Sequence, residues 1–177
     1  MDKNRVNEKQ KAVKQSRACD TTMTDQFIET LAKGLKAKYT HVDPIRALQA
    51  ISIDKVVEKP NPQTRSIFEL LHHVVLWQNL TIEALQGHDV IWPKKGEDWP
   101  KSNAVSKEGW KELVEEFTQG LERAEIVAEM LESETPIPAW ENMSASNGLL
   151  VLVQHNSYHM GQIVLLRQVL GIWPPES

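Results

Sequence analysis

Residues 106–131 read SKEGWKELVEEFTQGLERAEIVAEML, and this stretch decides the fold class. Trp110, Leu113, Val114, Phe117, Leu121, Ala124, Ala128 and Leu131 recur at i, i+3/i+4 spacing, the signature of one apolar helix face. Ser106 is placed to cap the start, and Pro136 and Pro138 end the pattern. A helix with one such face needs other helices or a sheet to cover it.

Three further stretches share this periodicity. Thr24 is a fitting N-cap for a helix carrying Phe27, Leu31 and Leu35. Ser66, with Glu69 three residues on, forms a capping box before Ile67, Leu70, Leu71, Val74, Trp77 and Leu85, and Gly87 marks the stop. The last helix runs from about Ser146 to Leu170 and stops at Gly171. No segment sustains period-2 alternation. The expectation is an all-α four-helix bundle, up-down, with a long crossover between helices one and two. That crossover, residues 40–65, holds short turns: Asp43-Pro44 reads as a helix start, and Pro60 and Pro62 break the chain. Residues 87–105 form a loop with Trp92-Pro93, Gly96 and Trp99-Pro100. Loops that long are functional or packed on their own aromatics. Residues 1–20 read as a polar, disordered leader or a frayed helix, and 21–177 as one domain with Met23 as a natural start.

Composition narrows the function classes. The 177 residues are 41% hydrophobic and 25% charged, ordinary for a soluble globular chain. Residues 1–20 hold six basic and three acidic side chains, a net +3, which leaves −7 for the body. An acidic body argues against nucleic-acid binding, which needs a basic face. No apolar run approaches the roughly 20 residues of a membrane span. The lone Cys19 excludes an intrachain disulfide and Cys-rich zinc sites, and fits a reducing, cytoplasmic setting. Its polar surroundings give no reason to read it as a nucleophile.

The chemistry concentrates on the last helix. His155 and His159 stand one turn apart on a face shared with Val151, Leu152, Gln162, Leu166 and Val169. They therefore point into the bundle, where imidazoles need partners. Spacing leaves two readings open: metal ligands, or core histidines bonded to neighbours or buried water. The second helix offers His72 and His73, and periodicity does not choose between them. His41 and His88 fall in connectors and read as surface residues. Other motifs fail. A zincin needs Glu after the first His, and Asn156 stands there. Glu69 and His72 have the E-x-x-H spacing of di-iron bundles, but neither His155 nor His159 follows such a Glu. There is no G-x-S-x-G, P-loop or G-x-G-x-x-G.

The series Ser66-Ile-Phe-Glu-Leu-Leu-His-His73-Val, then His155-Asn-Ser-Tyr-His159-Met-Gly-Gln162-Ile, then Leu166-Arg167, resembles the DinB-like (YfiT-like) superfamily of metalloenzymes. The resemblance spans about residues 24–175, with the loop around Asp98-Trp99-Pro100, and leaves out the leader. It implies a four-helix bundle and one divalent ion, zinc or nickel, held by His73, His155 and His159. The family position seven residues after the capping Ser selects His73 over His72. Three neutral imidazoles leave an ion its full charge and open positions, as in catalytic sites. Characterised relatives include thiol-dependent transferases and isomerases, and others are described as metal-dependent hydrolases. The resemblance thus implies a small-molecule substrate and, for the transferase reading, a low-molecular-weight thiol. A non-catalytic, stress-related metal- or ligand-binding bundle is the contrasting reading.

Several residues carry secondary expectations. Gln162 either holds a ligand or packs between helices. Glu69 accepts from His73 or, preferably, serves the capping box. Tyr158 donates near the metal or simply packs, and Trp92 and Trp99 line the pocket mouth or form a satellite cluster. On the far face of the last helix, Val153, Met160 and Val164 lie beside Ser157 and Gly161, which predicts a homodimer through that face.

Overall fold

The computed structural model describes residues 26–38 and 40–175. It is all-α apart from one two-residue ladder. Residues 26–35 form α1. There follow α2 (Pro44–Leu48), α3 (Ile53–Val57), α4 (Ile67–Leu85), α5 (Lys107–Met130) and α6 (Ala145–Val169). Strands β1 (Pro136–Ile137) and β2 (Met143–Ser144) pair antiparallel, with Pro136 opposite Ser144. No helix among the described residues is long and apolar enough to cross a membrane. Thr24, Cys19 and the leader lie outside the described residues.

Local chemistry sets the helix ends. Both halves of the α4 capping box are made: Ser66 Oγ accepts from the Glu69 N–H at 3.2 Å, and Glu69 Oε2 accepts from the Ser66 N–H at 2.8 Å. Ser106 caps α5 through the Gly109 N–H. Gly87 (φ +82°) and Gly171 (φ +70°) close α4 and α6 in the left-handed conformation. In both, the 5→2 and 6→1 bonds of a Schellman motif are present: Gly87 N–H to Ala84 O with His88 N–H to Glu83 O, and Gly171 N–H to Gln168 O with Ile172 N–H to Arg167 O. Asp43 caps α2, as the Asp43-Pro44 pair predicts. The helix α3 and the β1–β2 ladder are not legible in the pattern, being too short to show a period.

Helix α4 packs along both α5 and α6, and the short α2 and α3 brace this group against α6 and α4 respectively. Phe117, Leu71, Ile67, Leu121, Leu152 and Ile163 fill the core. A polar bridge crosses it. Gln78 on α4 is fully buried, donates to Phe117 O of α5 at 3.0 Å and accepts from Asn156 Nδ2 of α6 at 2.8 Å. Gly120 makes room for it, since a Cβ there would sit 1.9 Å from Gln78 Nε2. Arg167 of α6 is also fully buried and donates to Ala47 O of α2 and to Ile172 O, tying α2 to the end of α6.

One sequence expectation is corrected. Phe27 is 45% exposed, and Ile28 takes its core place, so the buried face of α1 runs Ile28, Leu31, Leu35. This chain covers part of the far face of α6, while Gly161 stays exposed. Met160 is 1% exposed, Val153 meets α1 at Gly34, and Ser157 bonds His41. Burial by its own chain thus accounts for part of the double-sided apolar character of α6.

Gly120→Ala is expected to destabilise the protein by about 1–3 kcal/mol through overpacking against Gln78. In a double-mutant cycle read by urea denaturation, Gln78→Ala should relieve much of that loss. Additive effects would show that the two residues do not share this space.

Candidate metal centre

His73 sits on the second turn of α4, on the side that carries the buried Leu70 and Val74. His155 and His159 sit one turn apart on α6. One ring nitrogen from each of the three histidines lies within 4.8 Å of the others. His72 turns elsewhere: its ring meets Phe68 edge-on, and its charge environment is set by Glu116 of α5. The choice that periodicity leaves open is therefore made by the helix packing, in favour of His73.

Neighbours fix the tautomers. His73 Nδ1–H donates to Asp98 O at 3.1 Å, with Asp98 Oδ2 at 3.4 Å from the same nitrogen. His159 Nδ1–H donates to Gln162 Oε1 at 2.7 Å, and Gln162 Nε2 donates in turn to Tyr158 OH. Both histidines are left with a bare Nε2. His155 Nε2 stands 3.1 Å from His73 Nε2, while His155 Nδ1 is buried without a partner. With no cation between them, His155 must keep a proton on Nε2 to donate to His73. A cation accepting lone pairs from all three rings removes that requirement. Bonds of about 2.0 Å at a tetrahedral angle imply ring nitrogens about 3.3 Å apart, close to the His73–His155 spacing. The three histidines thus fit a divalent ion.

Electrostatics favour the same state. Burial pushes all three pKa values down, since a charged imidazole is poorly solvated there. For His155 burial is reinforced by His159 and His73, and the value falls to about 4. Neutral imidazoles, the form a metal requires, therefore dominate at neutral pH.

The loop between α4 and α5 covers the cluster. Trp99 stacks on the His73 ring at 4.2 Å and 7°. Trp92 stacks on Trp77, lies 4.9 Å from Trp140 and donates to Ala139 O. The loop tryptophans are thus both site wall and aromatic cluster. Two clefts meet at Tyr158 and His159. One, of about 400 Å³, is walled by Trp77, Thr81, Trp140 and Leu152; the other, of about 460 Å³, by Arg65, Trp99 and Gln162.

A family model described as the DinB superfamily matches residues 43–163, more than half of the chain and inclusive of all three histidines. The chain belongs to the DinB superfamily. Among curated proteins, no sequence matches it.

The secondary expectations divide. Gln162 orients His159, and Tyr158, 65% exposed, stands at the junction of the clefts with its hydroxyl accepting from Gln162. Glu69 is not an acceptor for His73. It serves the capping box and pairs with Lys59 and Arg65, which, with the Ser66 N–H, outweigh burial and hold its pKa below normal. Asp98 fills the role instead. No spacing rule could find it, because a loop brings it there. Of the face assigned to the histidine pair, Leu152 and Leu166 are buried, but Val151 and Val169 are exposed. The cluster therefore lies at the bundle's edge rather than at its centre, within reach of ligands.

In metal-free protein, folded His155 resists protonation down to about pH 4, while an unperturbed histidine protonates near 6.5. The unfolded state binds more protons between these values, so stability is expected to fall as pH drops from about 6.5 to about 4. Urea midpoints of chelator-treated protein test this, and His155→Ala should flatten the dependence. An equally steep fall in the variant would assign it to other groups.

Proposed function

We propose that this DinB-superfamily chain is a metal-dependent enzyme, with zinc or nickel held by His73, His155 and His159, that transfers an apolar small molecule onto a low-molecular-weight thiol. The observation that carries the reading is the meeting of two clefts at the cluster of three imidazoles. A closed structural site has no use for such access. A bound divalent ion supplies Lewis acidity, lowering the pKa of a coordinated thiol or water.

The chain's own residues do the rest. Asp98 and Trp99 orient His73, and Gln162 orients His159. The walls of Trp77, Trp140 and Leu152 bind apolar substrate and exclude water. The thiol sulfur forms a bond to the electrophilic carbon, the leaving group departs with its electron pair, and the thiol proton passes to solvent.

A thiol is preferred over water because of the carboxylates. Asp98 is the single acidic residue lining either cleft among the described residues, and its Oδ2 already faces Trp77 Nε1 and His73 Nδ1. Water, with a pKa near 15.7, needs more help in losing a proton than a thiol, with a pKa of about 8.5. Hydrolysis is the second reading, with Asp98 as the base. The site needs no second copy, since one chain supplies all three histidines.

The test is loss of free thiol when zinc- or nickel-loaded protein meets simple thiols and an apolar alkyl halide. Val151→Trp, at the rim of the apolar cleft, should lower kcat/KM about tenfold or more with metal content unchanged. Turnover that persists in stripped protein would contradict the proposal. Metal binding without turnover, with any thiol or with water, would favour the non-catalytic reading.

A further inference from the structure

The second cleft differs in character from the apolar one. It runs beside His159 and Gln162 past Tyr158 and Trp99 to Gln63, Thr64 and Arg65, and no acidic side chain lines it. Its charge is set by Arg65. The buried Glu69 carboxylate faces two cations, Arg65 Nη1 at 3.0 Å and Lys59 Nζ at 2.8 Å, so one positive charge is left over. Arg65 makes no other hydrogen bond among the described residues, which leaves Nε and Nη2 open. Its guanidinium lies 4.2 Å from the Trp99 ring centre, over the indole that stacks on His73. A guanidinium held over an aromatic ring loses less freedom when it binds, and its donors suit the two oxygens of a carboxylate.

We propose that Arg65 anchors a carboxylate of the thiol co-substrate, so that the second cleft selects thiols carrying an acid group while the apolar cleft takes the electrophile. The inference rests on the metal-and-thiol reading above and adds the class of thiol. Arg65 is here a specificity determinant rather than a catalytic residue: it acts at the far end of the molecule whose sulfur reacts. Gln63 and Thr64 supply polar walls beside it, and Leu165 and Leu166 line the apolar part of the same cleft, which suits a short alkyl chain between thiol and acid.

The experiment uses cobalt-substituted full-length protein and follows the visible absorption of the ion as two probes are titrated: mercaptopropionate and its uncharged counterpart mercaptopropanol. Wild type is expected to bind mercaptopropionate about five- to tenfold more tightly, a preference that weakens at high salt. Arg65→Gln should abolish the preference while leaving the cobalt bands and the affinity for mercaptopropanol within about twofold of wild type. Arg65→Lys should retain part of it. Equal affinity of the two probes in wild type, or a preference that survives in Arg65→Gln, overturns the anchor and leaves the metal reading standing. Cobalt that gives no bands, or bands that neither thiol shifts, overturns the underlying reading and the anchor with it. If Arg65→Gln does not fold, the salt titration of wild type decides: a preference indifferent to salt is not a carboxylate held by a half-exposed guanidinium.

Discussion

The bond pair made by Gln78 fixes three helices at once. Its amide nitrogen is committed to a backbone carbonyl of α5 and its oxygen to Asn156 of α6, inside the core. A slip of any of the three helices would strand one of these groups, at about 1–3 kcal/mol for each polar atom left unpaired. Asn156 is the neighbour of His155, and Gln78 follows His73 on the same helix. The bond that registers α4 against α6 thereby also sets His155 against His73. Gly120 is part of the same device, since it lets α5 approach closely enough for Gln78 to reach its backbone.

On that frame the three histidines are held neutral, and two of them, His73 and His159, in one tautomer. The edge of the bundle is buried enough to keep the imidazoles neutral and open enough to admit a ligand. The Asp98 carbonyl and Gln162 Oε1 accept hydrogen bonds from the Nδ1–H groups of His73 and His159, and the Nε2 lone pairs turn toward a common point. The covering tryptophans come from one loop, which is anchored in turn. Asn103 Nδ2 donates to Val57 O of α3, and Ser66 Oγ donates to Asn103 Oδ1, so the α4 cap and the loop are one unit. Fold, cap and site wall are therefore coupled through few side chains.

The sequence carried some of this and not the rest, for physical reasons. Helices α4, α5 and α6 are long and periodic, and the Ser caps of α4 and α5 and the Gly stops of α4 and α6 are local signals, so their extents are readable to within a residue or two. The His155–His159 pair is legible because helical spacing alone brings it together. His72 and His73 lie about equally far from the apolar centre of α4, so only packing against α6 separates them; the family pattern pointed the same way. Asp98 and Arg65 act across loops or between elements, where no period applies. Phe27 misled for a different reason. Periodicity tells how apolar a face is, but not which neighbour covers it: α1 turns Ile28 inward in place of Phe27, and its Gly34 meets Val153 on the far face of α6.

Metal content per chain is the most direct test of the central claim, that His73, His155 and His159 together hold one divalent ion. It is measured by elemental analysis of protein purified without a chelating column and reconstituted with zinc or nickel. The account predicts about one ion per chain in wild type and in His72→Ala, and a large loss in His73→Ala and His155→Ala. Wild type that holds no ion after reconstitution, or His73→Ala that holds as much as wild type, would contradict it.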